Sequence, residues 1–233
     1  MNLALIAPTL PETGELRREI RPQPDEELKI ISEGELHGKS IMFTHCGVGK
    51  VNAAHSATLM LENYDVDLVI LFGVGGAYKN ARTGDIAVAQ RENYAEEGIL
   101  TEDGWKSMEF TGFPLLKNER EYFNTFHMDR IRSQLAVKAA GDLGFNTIYG
   151  NFITVSQCSG TREIGELMKN RFNGICENME GAAVAHICIM YGIPVIEIRG
   201  ISNIIEKREI KKWNIPLAVS NCNKVVSELV KRI

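Results

Sequence analysis

The sequence predicts a single α/β domain spanning residues 1–233, built on a mixed central β-sheet flanked by helices. Three observations predict it. Short continuous apolar runs at 2–7, 67–72 and 194–202 read as strands buried on both faces. Helical stretches alternate with these strands along the chain. No internal repeat, low-complexity segment or linker divides it. A chain of 233 residues is long for one domain but can bury a substantial core.

The elements follow in order. Residues 2–7 form a first strand, and 11–20 a turn leading into a polar helix. Residues 27–36 and 39–45 pair as strands joined at His37 and Gly38. Gly47-Val48-Gly49-Lys50 opens an Ala-rich helix over about 51–63. The strand at 67–72 ends in Gly73-Val74-Gly75-Gly76, and a further strand follows Gly84-Asp85. Residues 97–118 read as irregular. A helix at 128–143, a strand at 147–156 and a helix at 161–172 come next. After a short strand at 174–177, Asn178-Met179-Glu180 opens a helix with Ala183, Ile187 and Met190 on one face. A strand at 194–202 and a helix from about 214 close the chain.

Composition narrows the function. The net charge of -4 argues against a nucleic-acid binder, which would carry a basic face. The N-terminal apolar run lacks a basic flank and a cleavage site and is too short to span a bilayer, so the expected location is the cytoplasm. Five scattered cysteines, without a Cys-x-x-Cys pair, point to neither a disulfide framework nor a zinc site. Cys46 and Cys188 read as small buried hydrophobes. No metal and no cofactor are expected.

Candidate chemistry sits where strands end. The cluster Gly73-Val74-Gly75-Gly76 either lets a ligand approach the backbone or makes a tight strand exit. It lacks the dinucleotide fingerprint and a Walker lysine. Glu12 follows the first strand at the sheet's carboxyl edge, where α/β proteins place ligands. Glu180 begins a helix of small residues; a carboxylate there either serves a site or complements the helix dipole.

Taken in register, Gly47–Lys50, Gly73–Gly76 with Gly84-Asp85-Ile86, Glu177–Gly181 and Arg199–Asn203 carry a resemblance. Over nearly its whole length the chain is similar to the nucleoside phosphorylase/nucleosidase superfamily, with methylthioadenosine/S-adenosylhomocysteine nucleosidases as relatives. The phosphorylases carry a Gly-Asp-Pro-type turn and phosphate-binding arginines near the first strand. Here the turn is Ala7-Pro8-Thr9, and Glu12 matches the nucleosidases' general base. Arg17 and Arg18 read as solvated. Adenine-cleaving members have Asp in Arg-x-Ile-Ser-Asp, where this chain has Asn203. That change, with Arg208, Trp213-Asn214-Ile215-Pro216 and the segment Tyr94–Trp105, resembles the futalosine hydrolases of the alternative menaquinone pathway.

What the resemblance implies is specific. The substrate would be a hypoxanthine nucleoside with a carboxyphenyl ketone on its sugar, cleaved to hypoxanthine and a dehypoxanthine ribosyl compound. A 6-oxopurine presents two acceptors, N7 and O6, to which one asparagine NH₂ can donate; adenine presents an acceptor and a donor. Asn203 would hold the departing base, or else satisfy a turn. Glu12 would deprotonate water and Glu180 would hold ribosyl hydroxyls near the cationic sugar, with Met179 against its apolar face. Gly73, Val74 and Gly75 would line the substrate. Ser202 and Arg199 would orient the Asn203 loop, with Arg199 equally readable as an ion-pair partner.

Two parts carry over less directly. The nucleosidases place an aromatic after the strand at 147–156, yet residues 155–161 contain none, and Phe152 reads as buried in the strand. In the 97–118 stretch, Trp105, Phe110 and Phe113 offer aromatic surface and Lys106 a partner for the carboxylate; a surface loop or subunit contact accounts for them equally. The partner is then a small purine nucleoside, with no nucleic acid or membrane, and a homodimer or larger assembly is implied. Three alternatives stay open: a methylthioadenosine or aminofutalosine-type nucleosidase, a phosphate-dependent purine nucleoside phosphorylase, and a non-catalytic nucleoside-binding module.

Overall fold

Strand β1 (Asn2–Ala7) is buried almost throughout and seeds the sheet. The computed structural model describes residues 1–22, 31–78, 80–206 and 209–233. After β1 come two single-turn helices, α1 (Leu10–Thr13) and α2 (Leu16–Glu19). Gly14 separates them with φ 39°, a conformation that ends a helix and that only glycine adopts cheaply. The polar helix expected there is thus broken in two. Strand β2 (Arg21–Pro22) precedes β3 (Ile31–Leu36) and β4 (Lys39–His45). The β3–β4 turn has both central residues, His37 and Gly38, at positive φ, the conformation that fits the strand twist. Residues 27–30 of the expected strand lie outside the described residues, as does Arg208.

Helix α3 (Lys50–Asn63) starts at Gly49, and β5 (Leu68–Ala77) follows. β5 runs five residues further than the expected strand, straight through the glycine cluster. Then come β6 (Ile86–Tyr94), the hairpin β7 (Gly98–Thr101) and β8 (Gly104–Ser107), and the one-turn α4 (Met108–Thr111). The supposedly irregular 97–118 stretch therefore contains a β-hairpin. Short strands β9 (Leu116–Lys117), β10 (Glu121–Tyr122) and β11 (Thr125–His127) lead to α5 (Arg130–Asp142), capped by the Asp129 carboxylate.

Next are β12 (Thr147–Thr154), α6 (Arg162–Phe172) with Thr161 as its cap, and β13 (Gly174–Asn178). Helix α7 (Gly181–Met190) buries Ala182 to Ala185 and Cys188, while Met190, on the face with Ala183 and Ile187, is 54% exposed. β14 (Val195–Ile204) and α8 (Ile215–Arg232), capped by Asn214, complete the chain.

The topology places the site. β1 pairs in parallel with β4 and β5. Five strands also pair in a closed ring: β5 with β14, β14 with β6, β6 with β12, β12 with β13, and β13 back to β5. Helices α3 and α7 cover one side of the sheet, and α5 and α8 cover the other. β5 pairs with β1 only as far as Leu71 and with β13 only from Gly76, so between them one edge of β5 is released from the ladder. No helix among the described residues is long and apolar enough to cross a membrane.

Candidate active site

A cavity of about 300 Å³ opens where β5, β13 and β14 end together. That is the carboxyl edge of the parallel strands β5 and β14. Glu12, Val74, Gly75, Met179, Glu180, Arg199, Ser202 and Asn203 all line it, so most of the sequence-predicted residues converge from four separate segments.

Glu12 is buried on α1 and aimed at the released edge of β5. Its Oε2 accepts from the Val74 N–H at 2.8 Å, and its Oε1 from Thr9 Oγ1 at 2.7 Å. Burial pushes the carboxyl above the ordinary carboxylate range, and Glu180 adds to the rise; Arg199 and the Val74 N–H pull the other way. Gly73 exists for this contact. A Cβ there would lie 2.3 Å from Glu12 Oε2. Gly75 likewise makes room for Cys176, whose sulfur would be 2.5 Å from a Cβ. The glycines are therefore not a strand exit, and Gly75 and Gly76 also line the cavity. They admit side chains against a continuing strand, and Gly73 itself does not line the cavity.

Glu180 is buried at the start of α7, yet it does not cap that helix. Asn178 does, its Oδ1 accepting from the N–H groups of Glu180 at 2.9 Å and Gly181 at 2.7 Å. The Glu180 carboxylate turns away. Oε1 accepts from the Gly49 N–H at 3.0 Å, and Oε2 from Arg199 Nη2 at 3.1 Å. It lines the cavity and makes no capping bond to its own helix.

Arg199 is 1% exposed and anchored on three sides. Nε donates to Glu197 Oε1 at 2.7 Å, Nη2 to Glu180, and Nη1 to the Val74 carbonyl at 3.2 Å. Burial opposes its charge, but Glu197, Glu180 and Glu12 outweigh that and hold the guanidinium charged. Of the two sequence readings of Arg199, the contacts are those of the ion-pair partner, and one partner is a cavity carboxylate; its bonds go to Glu197, Glu180 and Val74 and not to the Asn203 loop.

Asn203 follows an irregularity in β14, where the register against β5 slips between Ile201 and Asn203. Such a bulge re-aims a side chain. The Ser202 hydroxyl lies 2.8 Å from Asn203 Oδ1 and 3.2 Å from the Gly75 carbonyl; its single proton favours the shorter contact. Asn203 Nδ2 then keeps both hydrogens without a partner among the described residues, in the wall of the cavity.

Trp105 and Phe113 do not line this cavity, nor do Lys106 and Phe110. Trp105 lies on β8 and packs edge-on against Phe172 of α6, ring centres 5.8 Å apart, with Arg171 over its face at 4.4 Å. The hairpin is held by that packing. Phe113 is 72% exposed. Phe152 is buried in β12, and Cys158 and Ser159 occupy the wall where an aromatic was missing. Arg17 and Arg18 are exposed.

Several residues were given no site role by the sequence reading. Trp213 and Ile205 add apolar wall from the chain after β14, and Val48 adds it from the opposite side. Glu92 and Glu197 are wholly buried acids close to Arg199 and Asn178. The signal for Glu197 was present: a charge inside the apolar run Val195-Ile196-Glu197-Ile198 calls for a buried partner.

Residues 2–231 match the family model described as the phosphorylase superfamily. Among curated relatives, the futalosine hydrolase of Thermus thermophilus is 32% identical over 197 residues, covering 84% of this chain and 83% of that protein. The 5′-methylthioadenosine/S-adenosylhomocysteine nucleosidase of Baumannia cicadellinicola is 28% identical over 207 residues, covering 87% and 86%. Among solved structures, the nucleosidase of that name from Neisseria meningitidis, in complex with methylthio-immucillin-A, superposes with a TM-score of 0.85. It is 22% identical, with 100% of this chain and 99% of that one covered, a likeness of fold.

Proposed function

The chain belongs to the phosphorylase superfamily, and within it we propose a nucleosidase that hydrolyses the N-glycosidic bond of futalosine, releasing hypoxanthine and dehypoxanthine futalosine for menaquinone biosynthesis. One observation carries the choice of base. Asn203 Nδ2 offers two unengaged donors in the cavity wall, and its carbonyl end is taken by Ser202. A 6-oxopurine needs two donors on its N7 and O6 edge. The similarity to a futalosine hydrolase supports this reading.

The roles follow from the chemistry of cleavage. As the bond lengthens, positive charge grows on the ribosyl ring and negative charge on the base. Glu12, aimed at the cavity and raised in pKa by burial, takes the proton of the attacking water. Glu180 accepts from ribosyl hydroxyls and faces the developing cation, while Met179 packs on the sugar. Asn203 stabilises the leaving purine. Arg199 and Ser202 hold Glu180 and Asn203 in place. Val74 and Gly75 form backbone wall, with Gly73 behind them giving Glu12 its room. No metal or cofactor takes part.

The test is incubation with futalosine in phosphate-free buffer and identification of the released base. Hypoxanthine is expected. Adenine released from methylthioadenosine with a comparable kcat/KM would move the reading to the 6-amino nucleosidases, which the similarity to that group favours as second choice. A requirement for phosphate would move it to phosphorolysis. A homodimer or larger assembly is part of the proposal. Val51 and Leu100 are highly exposed apolar side chains, and light scattering on the eluted protein checks it.

A further inference from the structure

Two wholly buried acids lie behind the site and have no role in the reaction so far. Glu92 on β6 and Glu197 on β14 are inaccessible to solvent. They meet over the first residue of α7: a Cβ on Gly181 would fall 2.1 Å from Glu92 Oε1 and 2.3 Å from Glu197 Oε2. Glu197 Oε1 accepts from Arg199 Nε, but Oε2 has no N–H or ordinary hydroxyl donor among the described residues. Glu92 Oε1 accepts from Asn178 Nδ2. Its Oε2 accepts from Thr154 Oγ1 at 2.7 Å and the Asn93 N–H at 3.1 Å.

Two bare carboxylates in contact in a dry interior repel, whereas one shared proton turns repulsion into a hydrogen bond. One proton between Glu92 Oε1 and Glu197 Oε2 joins the two whichever oxygen carries it, since Glu92 Oε1 can still accept from Asn178; Arg199 Nε, 2.7 Å from Glu197, favours leaving the negative charge on Glu197. Burial, and then the neighbouring Glu197, push the Glu92 carboxyl well above the usual range. At Glu197 burial also raises it, but Arg199 and the bond from Glu92 hold it back. The proton resides on Glu92, and Glu197 is the counter-ion of Arg199.

We propose that Glu92 and Glu197 are a one-proton pair that neutralises Arg199 from behind, so that Glu180 keeps its negative charge for the cationic sugar. They are positioning residues and do not touch substrate. The inference rests on the nucleosidase reading of the site. Without Glu197, the guanidinium that reaches Glu180 Oε2 at 3.1 Å would have that carboxylate as its nearest counter-ion and would cancel its field. Glu92 acts by a second route as well. It holds Asn178, which in turn fixes the N–H groups of Glu180 and Gly181. The pair also accounts for Gly181, since any side chain there would occupy the carboxyls' space.

Glu197→Gln separates this role from a structural one. The amide oxygen can still accept from Arg199 Nε, and its NH₂ can donate to Glu92, which is then free to ionise. Shape and hydrogen bonds survive while the negative charge moves away from Arg199. With the nucleoside that wild type cleaves best, kcat is expected to fall about tenfold or more while KM changes less than about threefold, because the lost interaction belongs to the transition state. A kcat within about twofold of wild type would overturn the proposal, as would a loss seen in KM alone. Infrared spectroscopy at neutral pH supplies a second measurement that needs no turnover. Wild type should show the carbonyl stretch of a buried protonated carboxylic acid, and Glu197→Gln should lack it. Its absence from wild type overturns the shared proton even if the variant does not fold. Failure of the nucleosidase reading looks different: wild type itself would release no base.

Discussion

Glu12 and Asn203 are single residues on which the proposed chemistry turns, and each supports a sharp expectation. Glu12→Gln keeps the acceptor for the Val74 N–H but cannot take a proton, so kcat should drop by roughly two to four orders of magnitude with binding retained. Steady-state kinetics with isothermal titration of substrate checks both halves. Because the base works ionised and burial raises its pKa, kcat/KM should decline on the acid side with a midpoint above the ordinary 4.5. Asn203→Asp would present acceptors to N7 and O6, a mismatch costing on the order of 1–3 kcal/mol. The ratio of kcat/KM for 6-oxo over 6-amino forms of one nucleoside should fall by about tenfold or more. An unmoved ratio would make Asn203 a turn residue. Glu180→Ala should worsen kcat and KM together. A change confined to thermal stability would contradict the geometry, because Asn178 caps α7.

At the scale of the element, what a side chain would strike decides the outcome of a glycine change. On β5, an added Cβ at Gly73 meets the far end of Glu12, which can swing away. Gly73→Ala should cost catalysis more than stability. On β14, a Cβ at Gly200 would lie 2.0 Å from the Ala218 carbonyl oxygen, backbone of α8 that cannot yield locally. Gly200→Ala should destabilise by about 1–3 kcal/mol or more, read as a lower denaturant midpoint. Equal effects of the two changes on both observables would refute the distinction. Strand periods were legible in the sequence here, whereas the end of β5 was not. Glycine clusters ordinarily mark strand ends, but here pairing with β14 carries the strand through Gly73–Gly76.

Across the whole molecule, buried ionisable groups couple stability to pH. Glu92 has a raised pKa in the folded state, so its contribution to stability is fully present below the unfolded value of 4.5. That contribution is lost as pH rises through the raised value. His45, His127 and His186 are lowered by burial and act with the opposite sign, but only below their ordinary 6.5. Above pH 6.5 the Glu92 proton should therefore make stability fall with pH, by up to about 1.4 kcal/mol per unit, until the raised value is passed. In Glu197→Gln, where that proton is dispensable, this slope should vanish. Parallel Tm profiles for the two proteins over this range would contradict it.

The sequence by itself determined the α/β class, the order of strands and helices along the chain and the candidate acids, because periodicity, turn residues and short motifs are local. Glu12 and Glu180 were legible at the ends of recognisable elements, and Arg199, Ser202 and Asn203 through a short motif shared with a known family. Only the tertiary structure decided which of them share a cavity and which aromatics do not. Trp105 was drawn to Phe172 by a hairpin whose docking depends on α6, a helix that begins only at Arg162. Glu92 and Glu197 became one unit only when β6 and β14 came together over Gly181. Closing a ring of strands from five separate segments sets such distances, and no window along the chain contains them.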